Sequence, residues 1–412
     1  MALAALIFAS QSTDDRGDTL RAALPLAGST LLEHQVRRAI RAGAHHIVVL
    51  VERLPTALVG AIDRLRRDGY RIDIARSVAD AAGRIHPDET VLLIADGCIA
   101  PASAFDRLAA ARAPALLSLP DVPGLEDFER IDADSRWAGL ALVEGARLQD
   151  TAAKLGEWDF ALTLLRRLLQ GGATVLPTAG TGDEADQERP VFARVAADLF
   201  LLESRIIAGS AGLRDGWPAR LFFPLFERFA IGPMARRQIA PSWLQIGSVV
   251  LALLAVPLVF AGWPGLALAL LVMSGPLASI AQRLADVRVT RLRHERWASS
   301  LRLASGGAAL VALGVESGAN GQWGWMLLAV FVVGVMGALA SEWRTARRLD
   351  NRTVMPFMAT GDGLVWMFIP FAFAGLWSYG IVAAALYAVT SFVVAQRMVH
   401  DAIKLKMRER QS

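Results

Sequence analysis

The chain has 412 residues, of which 54% are hydrophobic and 20% charged, with a formal net charge of +4. It is too apolar for a wholly water-soluble protein and too charged for one lying entirely within a membrane. The basic excess lies in residues 243–412, where 15 Lys and Arg stand against 8 Asp and Glu and flank apolar runs, so nucleic-acid binding is not indicated.

Residues 1–180 alternate short apolar runs with amphipathic patterns. Strands are predicted at 2–9, 45–51, 71–77, 90–96, 114–120 and 137–143. Helices are predicted at 30–44, 57–70, 78–85 and 157–172. Either Ser29 or Thr30 is expected to cap the first helix. Val, Ile and Leu runs between amphipathic helices are typical of a parallel sheet covered on both faces, so the sequence predicts a Rossmann-like α/β domain.

Two polar segments follow predicted strands, where ligands of such sheets bind. The loop "SQSTDDRGDTLRAALPLAG" carries Asp14, Asp15 and Asp18, whose negative charge disfavours a triphosphate. Asp96 ends the strand "TVLLIAD", where a carboxylate either binds a divalent metal or caps the strand end.

The stretches "PLAGSTLLEHQVRRAIRAGAHHIVVLV" and "LLIADGCI" resemble the sugar-nucleotidyltransferase family, over residues 1–180. The resemblance implies a GT-A-like nucleotidyltransferase fold and makes Asp96 a candidate metal ligand. The family's glycine-rich loop is replaced by "FASQSTDDRG", and no lysine precedes Lys154. Catalysis by this domain is therefore not expected.

Residues 181–242 are predicted to form a linker with juxtamembrane helices. The segment "DGWPARLFFPLFERFAIGPMARRQIAPSW" combines Phe222, Phe223, Phe226 and Phe229 with several arginines. Aromatic rings and cations just before a spanning segment are typical of a helix at the membrane interface. A helix that docks onto another domain is the alternative.

Six membrane spans are predicted in residues 243–398, at 243–262, 264–284, 299–315, 323–341, 363–379 and 380–398. The connections "GWPG", "ESGANGQWG" and "WSYG" contain no Lys or Arg, whereas the other connections and the tail 399–412 are basic. The positive-inside rule then places both termini and the α/β domain in the cytoplasm. Cys98, the single cysteine, agrees with a reducing compartment. We expect a multi-pass protein of the inner (cytoplasmic) membrane.

This arrangement, preceded by Asp215-Gly216, Arg220 and Ala240-Pro241-Ser242, resembles the CDP-alcohol phosphatidyltransferases. It is most similar to fused cytidylyltransferase–phosphotransferases of the di-myo-inositol-phosphate synthase kind. The resemblance implies transfer of a phospho-alcohol from a CDP-alcohol, a homodimer, and Mg²⁺ or Mn²⁺ held by four aspartates of the second and third spans.

The family's motif, D-x2-D-G-x2-A-R-x8-G-x3-D-x3-D, is poorly matched when it is aligned on Ala281. Its four aspartate positions hold Ser274, Leu277, Glu295 and Ser299. Its first glycine, its arginine and its second glycine are replaced by Ala278, Gln282 and Arg291. Only one of the four aspartate positions holds an acid, and that acid is a glutamate, Glu295. No metal or cofactor is therefore expected, and Mg²⁺ or Mn²⁺ would be needed only if an active site persists.

Three acids remain as candidates for an unconventional catalytic site: Asp286, Glu295 and Asp362. Asp286 and Glu295 are nine residues apart, about 900° around a continuous helix, and lie among arginines that are their expected partners. The arginines expected to contact phosphate or lipid headgroups are Arg220, Arg236, Arg237, Arg283, Arg288 and Arg291.

Both active-site motifs are degenerate, which favours a membrane protein of phospholipid or phospho-alcohol metabolism with a binding, scaffolding or regulatory role. Membrane phospholipids are its expected partners. One alternative is an active phosphotransferase with a non-standard site. The second is a lipid-handling or transport protein that uses the helix bundle as a cavity.

Overall fold

The computed structural model describes residues 2–13, 19–154, 159–178, 189–209, 216–236, 239–290, 292, 294–318, 321–349 and 357–409. Contacts divide the chain into two compact units. The first is Met1–Gly209 with Val287–Thr290, and the second is Ser210–Asp286 with Arg291–Ser412. The predicted linker, 181–242, is therefore shared between the two units.

Eleven strands are described in the first unit. They are β1 (Leu3–Phe8), β2 (Pro25–Leu26), β3 (Ser29–Thr30), β4 (His46–Leu50), β5 (Ile72–Ala75), β6 (Thr90–Ile94), β7 (Cys98–Ile99), β8 (Ala115–Pro120), β9 (Ser135–Glu144), β10 (Thr174–Pro177) and β11 (Val191–Phe192). Seven of them form one sheet in the order β10-β8-β9-β6-β1-β4-β5. Only β9 runs antiparallel to its neighbours in that sheet. All six predicted strands lie in this sheet, and the α/β fold class is confirmed.

Seven α-helices are described in this unit. They are α1 (Leu31–Arg41), α2 (Thr56–Arg67), α3 (Val78–Gly83), α4 (Ala102–Ala110), α5 (Gly145–Ala153), α6 (Phe160–Gln170) and α7 (Ala196–Gly209). A capping box starts α1: the Glu33 backbone N–H donates to Thr30 Oγ1 at 3.3 Å, and the Thr30 N–H donates to Glu33 Oε2 at 2.7 Å. Thr30 is thus the N-cap, one of the two predicted residues. The sequence patterns did not predict α4 and α5.

The secondary structure described in the second unit is all helical. Its helices are α8 (Trp217–Leu221), α9 (Phe223–Arg236), α10 (Pro241–Phe260), α11 (Pro264–Val287), α12 (Glu295–Ser317), α13 (Gly324–Leu349), α14 (Gly361–Phe373) and α15 (Trp377–Glu409). Alanines form much of the contact surface between the long helices, which lets helix backbones approach closely in a membrane bundle. They include Ala252, Ala255, Ala309, Ala312, Ala329, Ala384 and Ala388.

Five of these helices, α10 to α13 and α15, are long and apolar enough to cross a membrane, counted over the described residues. The fifth predicted span, 363–379, falls instead on α14, which has 13 residues. At 1.5 Å per residue α14 is about 20 Å long, less than the ~30 Å of a hydrocarbon core. The apolar run is interrupted there because Gly375 adopts a φ of +71° and a new helix begins at Trp377.

Candidate functional site

Asp96 follows β6 at the carboxyl edge of the first unit's sheet, as the sequence predicts. The residue is 5% exposed, and its Oδ2 accepts a hydrogen bond from the Gln11 backbone N–H at 2.6 Å. Its Oδ1 is buried and has no hydrogen-bond partner among the described residues. Burial raises the pKa of this carboxyl to about 7, although the Gln11 N–H and the Arg21 guanidinium act to lower it.

Other segments of the first unit enclose this strand end. The Ala193 N–H donates to the Gly97 carbonyl oxygen at 2.8 Å, next to the pairing of β11 with β7. Gly97 has a φ of +75°, and a Cβ there would lie 2.8 Å from the Ala193 carbonyl oxygen. Glycine is therefore required at the residue after Asp96, both for its conformation and for the close approach of β11.

The described side chains around Asp96 do not fit a divalent metal, which needs several oxygen ligands. No group of three or more His, Cys, Asp or Glu side chains is placed to hold a metal ion within the described ranges. Asp14, Asp15 and Asp18, the acids predicted nearby, lie outside the described residues. Asp96 is thus a lone buried carboxyl among its described neighbours.

An ion pair joins two helices of the second unit at Asp362, one of the three candidate acids. Arg302 of α12 donates from Nη2 to Asp362 Oδ2 at 3.0 Å and from Nη1 to Oδ1. The two side chains are 23% and 20% exposed. At Gly275 of α11, a Cβ would lie 2.9 Å from Asp362 Oδ1, so only a residue without a side chain leaves room for this carboxylate.

Aromatic rings lie beside this pair. The same Cβ at Gly275 would lie 2.8 Å from Cζ of Phe223, whose ring centroid is 6.0 Å from that of Trp366. The rings of Phe222 and Trp366 stack with centroids 4.7 Å apart. Trp366 follows Asp362 by four residues, about one helical turn along α14. Its Nε1–H is buried without a hydrogen-bond partner among the residues described.

A second buried pair involves Glu227, a residue that is not among the site residues predicted from the sequence. Glu227 of α9 is 1% exposed and pairs with Arg283 of α11. It also accepts a hydrogen bond from the Ser279 hydroxyl. The signal in the sequence is a single acid inside the apolar stretch "LFFPLFERFA". Arg283, which is predicted to contact headgroups, thus has a buried carboxylate as a partner. The ion pair joins α9 to α11.

The remaining predicted acids lie at the surface. Glu295 begins α12 and accepts a hydrogen bond from Gln282 Nε2 at 2.7 Å. Asp286 is exposed in the last turn of α11. Gln282, which aligns with the arginine of the family's motif, is therefore a hydrogen-bond partner of Glu295.

The predicted phosphate-binding arginines fall into different surroundings. Arg220 is exposed on α8. Arg288 clusters with the first unit, is 6% exposed, and donates from Nε to the Ala27 carbonyl oxygen at 3.0 Å. Arg237, Arg291 and the side chain of Arg236 lie outside the described residues. No common phosphate site for the six arginines follows from the described residues.

The positions of the metal-binding motif do not fit a divalent metal either. Ser274 is 1% exposed and its hydroxyl donates to the Leu271 carbonyl oxygen at 2.7 Å. The Ser299 hydroxyl donates to the Arg296 carbonyl oxygen at 3.0 Å. Neither serine supplies the carboxylate charge that holds Mg²⁺ or Mn²⁺.

No protein-family model and no curated protein matches the chain. Among solved structures, a Bacillus anthracis protein assigned as a glucose-1-phosphate thymidylyltransferase, in complex with a sucrose, has 12% identity and a TM-score of 0.40. It covers 49% of this chain and 94% of its own. The inositol-1-phosphate CTP transferase from T. maritima has 14% identity and a TM-score of 0.38, covering 51% of this chain and 97% of its own. The chemistry of this chain therefore has to be inferred from its own side chains.

Proposed function

We propose that this chain is an integral membrane protein of phospholipid or phospho-alcohol metabolism that binds a phosphorylated alcohol or headgroup without transferring it. The observation that carries the proposal is the pairing of acids with arginines in the second unit: Asp362 with Arg302, and Glu227 with Arg283. A carboxylate that accepts hydrogen bonds from a guanidinium has its basic oxygens occupied. Such a carboxylate is poorly suited to activate a hydroxyl group or to hold a metal.

The proposed location is the inner membrane, with both termini in the cytoplasm. Five helices of spanning length support the membrane assignment. The arginine-rich connections support the orientation through the positive-inside rule. Anionic phospholipids are the proposed partners, because exposed cations such as Arg220 and Arg228 lie just before the first spanning helix. The homodimer implied by the family resemblance stays a prediction.

An active phosphotransferase remains the competing proposal, and a transfer assay separates the two. The full-length protein, reconstituted in nanodiscs, is incubated with CDP-diacylglycerol or CDP-glycerol, an acceptor alcohol, and Mg²⁺ or Mn²⁺. Binding of the CDP-alcohol is measured in parallel with release of CMP. We expect binding without CMP release above the protein-free reaction.

The matched control is the variant Asp286→Asn/Glu295→Gln/Asp362→Asn, which removes the three candidate acids. Metal-dependent CMP release by the wild type that this variant loses would show an active transferase and overturn the proposal. CMP release that persists in the variant would exclude a catalytic site built from these three acids, and it would overturn the proposal as well if it stays with the protein through repeated purification.

A further inference from the structure

The segment Val287–Thr290 begins at the last residue of α11 and belongs to the first unit. Val287 and Val289 are 0% and 1% exposed, and Arg288 is 6% exposed. We propose that this segment is a reversible latch, which docks on α1 and on the turn between β2 and β3 and holds that hairpin in place. Release of the segment loosens the hairpin. The latch goes beyond the function proposed above and does not depend on it.

Hydrogen bonds to two elements hold the docked segment. Arg288 Nε donates to the carbonyl oxygen of Ala27, in the turn between β2 and β3, at 3.0 Å. Arg37 of α1 donates from Nη1 to the Arg288 carbonyl oxygen at 3.4 Å. Arg41, one turn further along α1, donates from Nη2 to the Thr290 carbonyl oxygen at 3.2 Å. The first unit therefore binds both the backbone and the arginine side chain of the segment.

Backbone strain opposes the docking. Ala27 has a φ of +49° and Val289 a φ of +55°, and they are the two non-glycine residues with a positive φ in the described part of the chain. This conformation is unfavourable for residues with a Cβ, above all for a β-branched valine. The two strained residues flank one hydrogen bond, because Arg288 precedes Val289 and contacts Ala27. Strain of this kind persists only where contacts hold it, and it is concentrated at switch regions.

Charge opposes the docking as well. Burial lowers the pKa of Arg288 and the charge of Arg37 lowers it further, whereas Glu33 acts to raise it. Arg37 is itself 6% exposed, and its Nε is buried without a hydrogen-bond partner among the described residues. The docked state therefore brings two guanidinium groups together out of water. Its favourable contacts are partly offset, which is the energetic condition for a segment that has two accessible states.

The β2–β3 hairpin carries the effect of the latch into the first unit. Leu26 of β2 and Leu31, the first residue of α1, pack with Leu199 of α7 in a small core apart from the main core of the sheet. Arg288 contacts the turn of this same hairpin. A small core has few contacts to replace those that release removes, so the hairpin should open more easily when the segment leaves. The docked latch thus fixes the hairpin to the last residue of α11.

The test compares Val289→Gly with Val289→Pro in the full-length protein in nanodiscs. Both variants remove the valine side chain, but glycine accepts a φ of +55°, whereas proline is fixed at about −65°. One measurement is the rate at which phenylglyoxal modifies Arg288, followed by mass spectrometry. The other is hydrogen exchange of the β2–β3 amides. We expect both rates to be about tenfold or more higher in Val289→Pro, because the docked backbone can no longer form.

The wild type gives the test of reversibility. We expect Arg288 to react more slowly than Arg344, an exposed arginine of α13, yet to react while the β6 amides stay protected from exchange. Local release then exposes Arg288 without unfolding of the sheet. The rate at Arg344 should be the same in all variants and is the internal control.

If Val289→Pro fails to fold, Arg41→Ala takes its place, because Arg41 is exposed and its loss removes the donor to Thr290. The expected rise in the rate at Arg288 is then about threefold or more. The matched control is Arg71→Ala, which removes another exposed arginine of the first unit and leaves that rate unchanged.

Four results would overturn the latch. They are a wild-type Arg288 as reactive as Arg344, a wild-type Arg288 that reacts only when the β6 amides exchange, equal rates in the two Val289 variants, and a faster Arg288 without faster exchange of the hairpin. In the second pair of variants, equal rates for Arg41→Ala and Arg71→Ala would have the same meaning.

Discussion

Arg302 and Asp362 neutralise each other across two helices of the second unit, with Nη2 and Oδ2 3.0 Å apart. Replacing Asp362 by Asn leaves a partly buried guanidinium without its counter-charge. We expect the free energy of unfolding to fall by about 1–3 kcal/mol, less than for a fully buried pair because both side chains are partly solvated. The change is measurable as a lower Tm in thermal melts of the full chain in detergent.

The double variant Arg302→Met/Asp362→Asn is the control for this prediction. It removes both charges, so the penalty for an unpaired cation disappears and part of the lost Tm is recovered. A double variant less stable than Asp362→Asn alone would contradict this account of the pair.

Gly275 provides a steric test of the same region. A Cβ there would lie 2.8 Å from Phe223 Cζ and 2.9 Å from Asp362 Oδ1, so Gly275→Ala forces both neighbours to move. We expect a lower Tm, corresponding to about 1–3 kcal/mol. At Gly334 of α13 a Cβ would meet nothing within 4 Å, so Gly334→Ala should raise the Tm slightly through higher helix propensity. Equal Tm values for the two variants would show that α11 and α14 are not closely packed.

The sequence predicts the strands and the first helix cap of the first unit well, because they depend on local features such as hydrophobic periodicity. The six predicted strands and the Thr30 cap are such features. Periodicity carries no information on strand direction, so the antiparallel β9 was not foreseen. In the second unit, composition alone placed 363–379 as a span, whereas the positive φ at Gly375 ends the helix early.

The ion pairs could not be predicted from the sequence, for a different reason. Arg302 and Asp362 are 60 residues apart, and Arg283 and Glu227 are 56 apart. Charge counting assigned Arg283 to lipid headgroups because it flanks a span. Which acid meets which base is decided by helix packing, and a single sequence does not encode that in any local pattern.

Asp96 predicts a pH dependence of the first unit. Its pKa is about 7 in the folded protein against an ordinary value of 3.8, so the folded state holds a proton that the unfolded state has lost between those values. The contribution of the protonated Asp96 to the free energy of unfolding is therefore fully present below about pH 4 and is lost as the pH rises through about 7. The variant Asp96→Asn lacks this loss, so its stability relative to the wild type should grow over that range by up to about 4 kcal/mol and then level off.

Hydrogen exchange of the β6 amides measures this difference in the full chain. Asp106→Asn is the matched control, because Asp106 is exposed on α4. A difference between Asp96→Asn and the wild type that is the same at all pH values would contradict the buried, protonated carboxyl.

The packed and exposed faces of α9 give a prediction about the membrane. Phe223, Glu227 and Ile231 are at most 3% exposed and form the packed face, whereas Leu225 and Phe229 are 57% and 78% exposed. Exposed apolar side chains on a helix that precedes a spanning segment indicate contact with lipid. A nitroxide attached at Phe229→Cys should therefore be accessible to oxygen and shielded from a water-soluble nickel complex in nanodiscs.

Arg228→Cys is the matched label site, since it lies about 100° around the same helix from Phe229 and is also exposed. Its nitroxide should be more accessible to the nickel complex, because an arginine at the interface keeps its charged end in water. The native Cys98 is 1% exposed and does not compete for the label. Equal, water-like accessibility at both sites would place α9 away from the bilayer, whereas low accessibility of the Phe229→Cys label to both oxygen and the nickel complex would favour the alternative, docking onto another domain.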